Sequence, residues 1–163
     1  VCRRLMGETR LMAVGEVQLR AIQLPRDRDW LWAVHRTTMR SYVIDTWGAW
    51  DDAGEREFLE RSYSPATMRI VVGDGRDLGL CEVQPRPGEL YLARFGIVPH
   101  WQRAGVGSAV LRLVQAEAQQ VRQPLCLQVL KVNPARRLYE RAGFRLSGET
   151  ATHWLMRWWP VVG

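Results

Sequence analysis

The sequence predicts an α/β domain built on a mixed sheet of about seven strands with helices on both faces. Three observations carry this: strand-like apolar runs alternate with helical patterns, glycine and proline dipeptides punctuate them, and the elements follow the order β-α-α-β-β-β-α-β-α-β-β. The first strand is "VQLRAI", residues 17–22, whose apolar residues alternate with polar ones. "PRDRDWLWAVHRTTMRSYV" then opens with Pro25, a favoured first helical residue, and continues as a helix striped by Leu31, Val34 and Thr38. A second, weaker helix fits residues 51–62.

"TMRIVVGDGRDLGLCEV" reads as two strands around Asp74-Gly75, a dipeptide that favours a tight hairpin turn. A Pro-Gly break precedes the next strand, within "RPGELYLARFGIV". The helix that follows repeats apolar residues at Val106, Val110, Leu113, Val114 and Val121, and "LCLQVL", residues 125–130, is again a strand. Asn133-Pro134 predicts the start of the last helix, with Ala135, Leu138, Tyr139 and Ala142 on one face and Gly143 at its end. "FRLSG" and "THWLMRWW" complete the sheet.

Composition limits the function classes. At 163 residues, 47% hydrophobic and 25% charged, the chain has the length and balance of one folded domain, and no apolar run approaches a bilayer span. Residues 1–12 carry arginines without the apolar run of a secretory signal and read as a flexible leader, with the domain over 13–163. Cys2, Cys81 and Cys126 are odd in number and widely spaced, which argues against a disulfide framework and a thiolate zinc site and points to the cytoplasm. The formal charge of +6 comes from scattered arginines and one lysine, Lys131, a pattern that speaks against a nucleic-acid interface. His35 and His153 lack partners at metal-ligand spacing and read as structural, so no metal is expected. Trp154, Trp158 and Trp159 form a C-terminal cluster that suits either sheet packing or a second subunit, so monomer and homodimer are both compatible.

The most informative stretch is "VPHWQRAGVGSAVLRLV", residues 98–114. A glycine-rich turn feeding a helix presents unpaired backbone N–H groups and the positive end of the helix dipole, an arrangement that attracts an anion. No Gly-Lys-Ser or Gly-Lys-Thr follows, so this is not a phosphate loop of the Walker type, and Val110 stands where a dinucleotide fingerprint needs its third glycine. On spacing alone, the turn could equally be a simple connection.

Gln102-Arg103-Ala104-Gly105-Val106-Gly107 resembles the Gln/Arg-x-x-Gly-x-Gly/Ala motif of the GCN5-related N-acetyltransferase (GNAT) superfamily. "LQVLKVNPARRLYERAGF", residues 127–144, is similar to that family's strand, Asn-containing turn and tyrosine-bearing helix. The resemblance implies an acyl-CoA N-acyltransferase fold whose fourth and fifth strands splay apart, with acetyl-CoA as co-substrate in the gap. It further implies that Ile97 and Val98 pair with the pantetheine arm through their backbones. The turn formed by Gln102, Arg103, Ala104, Gly105, Val106, Gly107 and Ser108 would cradle the pyrophosphate, and Asn133 would reach the cofactor. One departure is Ala104, where the family often carries Lys or Arg before the first glycine.

The implied activity is transfer of acetyl to a primary amine of a small molecule or protein by direct attack in a ternary complex. The alternative is a non-catalytic acyl-CoA-binding or regulatory module on the same scaffold. Direct attack needs an uncharged amine, a stabilised oxyanion and a protonated leaving thiolate. Tyr139 is the expected general acid, and the N–H near Ile97 the expected oxyanion donor. For the general base, Glu82 is the candidate beside Glu89 and His100; a water relay, or an amine that arrives partly deprotonated, also serves. By the same resemblance the acceptor meets the segment between the first two helices, where Tyr42, Asp45, Trp47 and Trp50 combine aromatic faces with a carboxylate suited to a cationic amine. Trp47 and Trp50 could instead be packing residues, and Asp51 and Asp52 helix caps.

Overall fold

The computed structural model describes residues 14–163; the proposed leader, residues 1–12, lies outside the described residues. One seven-stranded sheet has the order β1-β2-β3-β4-β5-β7-β6. Its strands are β1 (Gln18–Ala21), β2 (Met68–Gly73), β3 (Arg76–Arg86), β4 (Glu89–Ile97), β5 (Leu125–Leu130), β6 (Arg145–Glu149) and β7 (His153–Trp158). The helices are α1 (Arg28–Trp47), α2 (Asp52–Ser62), α3 (Val106–Val121) and α4 (Arg136–Arg141). The element order is the one the patterning predicts.

Two apolar clusters cover the two faces of the sheet. On one, Leu31 and Val34 of α1 pack on Met68, Ile70 and Leu80; on the other, Val110, Leu111, Val114 and Ala118 of α3 and Tyr139 of α4 pack on Val71, Cys81 and Leu127. The alternation of Ile70 and Val71 between the two clusters is the period-two signature of a strand buried on both sides. Asp74 and Gly75, at φ 51° and 70°, make the hairpin turn between β2 and β3.

Two helix starts differ from expectation. α1 begins at Arg28 rather than Pro25, because Asp27 is held by a bond from its own N–H to Gln23 O (2.9 Å), while its carboxylate accepts from Gln23 N (2.8 Å) and Arg20 Nη1 (2.7 Å). Arg20 also bonds Asp77 (3.0 Å), so one guanidinium ties β1, the entrance of α1 and β3 together. α4 begins at Arg136 rather than Pro134, because the Asn133 side-chain Oδ1 accepts from Ala135 N (2.9 Å) and closes a turn before the helix. Asp51 caps α2 as expected, accepting from Gly54 N at 3.0 Å.

The feature that positions the site lies in β4. Opposite β3 the register runs Glu82↔Arg94 and then Val83↔Leu92, so Ala93 is an extra residue, a β-bulge. The bulge resets the alternation: Leu90 and Leu92 before it, and Phe95 and Ile97 after it, all face the α3 side. It also coincides with a parting of strands. β4 and β5 pair in parallel only at Leu90↔Leu125 and Tyr91↔Cys126, after which β4 runs on without β5 as a neighbour.

Candidate active site

The gap between the diverging strands opens into two cavities. One, of about 680 Å³, is bordered by Phe95, Gly96 and Ile97 of β4, the turn before α3, and Asn133 to Ala135. The other, of about 620 Å³, lies against Tyr91 to Phe95, Gln128 to Leu130 and the inner sides of α1 and α2. They share Thr38, Met39, Phe95, Asn133 and Tyr139, so these residues stand where the two spaces meet.

The turn before α3 is shaped for an anion. Arg103 and Gly105 have φ of 61° and 80°, and the first backbone bond of the helix runs from Ala109 N to Gly105 O (3.1 Å). Among the described residues no backbone bond engages the N–H groups of Val106, Gly107 and Ser108, and all three belong to the positive end of a 16-residue helix. The two glycines have different reasons. Gly105 supplies a left-handed backbone conformation, while a Cβ at Gly107 would sit 3.0 Å from Leu138 Cδ2, so the second glycine lets α3 start close against α4. Gln102 fixes the turn to the strand, its Nε2 donating to Ile97 O at 2.8 Å.

Tyr139 is buried, with its ring against Phe95 (6.4 Å between centroids) and Phe144 (5.8 Å). Burial, and to a smaller degree the neighbouring Cys81 thiol, pushes its phenol above the ordinary value. The hydroxyl therefore stays protonated through neutral pH and is a donor there.

A sequence model of the acetyltransferase (GNAT) domain matches residues 65–146, half of the chain. The chain belongs to the GNAT acetyltransferase family. Solved GNAT-type structures share its fold. The PaiA N-acetyltransferase of Thermoplasma acidophilum, solved with coenzyme A, is 14% identical over 89% of this chain and 99% of that one, with a TM-score of 0.68. An acetyltransferase of Thermus thermophilus is 19% identical over 90% and 99%, TM-score 0.69. The ribosomal-protein-S18-alanine N-acetyltransferase of Escherichia coli is 18% identical over 90% and 96%, TM-score 0.64. At these identities the likeness is one of fold. No curated protein matches the chain. The matched segment begins after α2, so it contains the glycine turn before α3 and Tyr139 but not α1 or the α1–α2 segment.

Within this GNAT domain, Ile97, Gln102, Arg103, Gly105, Gly107, Ser108 and Asn133 border the 680 Å³ cavity. Three other residues expected there do not. Val98 donates its N–H to Leu78 O (2.9 Å) and accepts from Trp101 N (2.9 Å), Val106 is in the core, and Ala104 packs against that core.

Glu82, expected as a base, is buried and borders neither cavity. Its carboxylate accepts from Ser64 N (2.9 Å), Thr67 Oγ1 (2.9 Å), Gln84 Nε2 (3.1 Å) and Arg94 Nη1. Burial alone would raise its pKa, but these bonds and the Arg94 charge outweigh it and hold the carboxyl below its usual value. Glu89 is likewise engaged, by Arg157 (3.0 Å) and Cys126 (3.2 Å), and His100 packs edge-on against Trp101.

Of the acceptor candidates, only Trp47 borders the 620 Å³ cavity, exposed like Phe58 of the same lining and with its ring 6.3 Å from that of His153. Tyr42 borders the other cavity, and Asp45 is exposed and borders neither. Trp50 donates to Asp52 (2.6 Å) and stacks on Trp32, which makes it a packing residue. Sequence reasoning read His35 and His153 as structural and singled out neither Glu55 nor Arg94; this cavity brings the four together from α1, α2, β4 and β7. The helical spacing of His35 with Leu31 and Thr38, one turn away on either side, was the available signal.

Proposed function

We propose that this chain is an N-acetyltransferase that moves acetyl from acetyl-CoA to a primary amine of a small molecule or a protein, by direct attack in a ternary complex. The observation that carries the reading is that the two cavities share Tyr139 in their walls, with the free N–H groups of a helix start bordering one of them. Acetyl-CoA, when bound, supplies the thioester. The free N–H groups of Gly107 and Ser108 would hold its pyrophosphate, assisted by Arg103 beside the cavity. The Asn133 side chain has its carbonyl engaged with Ala135, which leaves its amide N–H groups for the ligand.

The β4 edge freed by the loss of β5 pairing offers backbone groups near Ile97 to the pantetheine arm and to the developing oxyanion. Tyr139 remains a proton donor at neutral pH and would protonate the leaving thiolate. The amine would enter the 620 Å³ cavity between Trp47 and Phe58.

The test is release of free CoA, followed with a thiol reagent, when the protein and acetyl-CoA are given a panel of amines. Release that depends on both acetyl-CoA and an amine supports the reading. Binding of acetyl-CoA with no release for any amine would replace it with a non-catalytic acyl-CoA-binding module.

A further inference from the structure

The amine cavity contains a histidine whose two ring nitrogens have different surroundings. His35 projects from α1, and its Nε2 lies 3.5 Å from Glu55 Oε2 of α2. That nitrogen is sealed from solvent without a hydrogen bond. Nδ1 is not among the sealed, unpartnered atoms and has no bond to a described residue, so it keeps some accessible surface on a residue that borders the cavity. A buried polar atom left unpaired is costly, and here a carboxylate stands just beyond bonding range. Hydrogen bonds of catalytic groups are commonly long in unliganded enzymes and shorten when the complex forms.

We infer that His35 is the general base of the transfer, with Glu55 as the residue that positions it. The inference rests on the acetyl-transfer reading above. Glu55 would hold the proton on Nε2, which leaves the Nδ1 lone pair facing the amine. In the reaction an amine that arrives as ammonium gives one proton to Nδ1, and the neutral nitrogen so formed bonds to the thioester carbonyl carbon. The carbon–sulfur bond breaks, and the thiolate takes the Tyr139 proton. The new amide nitrogen loses its surplus proton to the tyrosinate and the imidazolium releases its proton to water, so no oxidant or further reactant is needed.

The surroundings of His35 suit a base. Trp32 and Trp50 pack against its ring, with centroids 6.1 and 5.9 Å away. The charged groups that face it are Glu55 from α2 and Arg94 from β4, and the Arg94 charge is itself paired with Glu82. Burial lowers the His35 pKa, with Arg94 adding to the effect and Glu55 opposing it, so the ring is neutral and able to accept a proton at pH 7. A base with a lowered pKa is lost only as the pH falls through that value, so the activity has an acidic limb below the ordinary histidine range.

Two measurements test this. CoA release is followed against pH with methylamine, charged at neutral pH, and with hydroxylamine, mostly uncharged there; both are small enough to enter any amine site. Acetyl-CoA binding serves as the folding control. His35→Gln is expected to slow release with methylamine on the order of 10²-fold, to abolish the acidic limb, and to slow the hydroxylamine reaction much less. Equal slowing with both amines, or an unchanged pH profile, overturns the assignment while leaving acetyl transfer standing. No release from the wild type with either amine overturns the transfer reading and the base with it. In the unreacted protein, nitrogen NMR of His35 is expected to find the Nε2–H tautomer, with Glu55→Gln lowering the pKa further. An Nδ1–H tautomer insensitive to Glu55→Gln contradicts the pairing.

Discussion

Arg94 of β4 and Glu82 of β3 stand opposite one another in register, one residue from the Ala93 bulge, and form an ion pair in which the Glu82 side chain is fully buried. The pair fixes the strand where β4 leaves β5, and Arg94 also bonds Ser62 Oγ at the end of α2. Removing either partner strands a buried charge, so Arg94→Gln and Glu82→Gln are each expected to cost roughly 3–5 kcal/mol in urea denaturation. Because the folded Glu82 carboxyl lies below its usual pKa, its contribution is complete above the ordinary glutamate value of about 4.3 and is lost as the pH falls through the folded value. Glu82→Gln should therefore flatten the acid side of the stability curve; a wild-type slope retained in that variant would contradict this.

Tyr139→Phe removes a hydroxyl from the junction of the cavities while keeping the ring between Phe95 and Phe144. The rate of CoA release should fall on the order of 10²-fold or more, with acetyl-CoA affinity and stability little changed. A parallel loss of affinity would make Tyr139 a binding or packing residue.

Gly105→Ala forces a side chain into a left-handed conformation, at φ 80°, with no steric neighbour to blame. It should destabilise the protein by roughly 1–2 kcal/mol and weaken acetyl-CoA binding, both read by calorimetry. At Gly107 the obstacle is the flexible Leu138 side chain, so Gly107→Ala should cost less stability than Gly105→Ala.

The fold was legible because each element carries its own local signal: the Asp74-Gly75 turn, the stripe through Val106, Val110 and Val114, and the Gly143 stop. The boundaries at Pro25 and Pro134 were misplaced because Arg20 and Ala135, through tertiary and turn bonds, claim residues that propensity alone assigns to helices. The side proposed for the cofactor draws most of its residues from one short run, Gln102 to Ser108, and a short motif can express it. The side proposed for the acceptor is assembled from separate elements, and no local pattern links His35 to Glu55, Arg94 or His153. Glu82 looked suited to proton transfer as a strand carboxylate near the cleft; only the register that sets it against Arg94 reveals its structural use.

The most direct measurement is a calorimetric titration of the folded protein with acetyl-CoA, with CoA and ATP as comparison ligands. The account predicts micromolar-range binding of acetyl-CoA and CoA that depends on the pantetheine arm, weaker binding of ATP, and loss of affinity in Gly105→Ala. Absence of acetyl-CoA binding to protein that melts cooperatively would contradict it, leaving the turn before α3 as a connection between a strand and a helix.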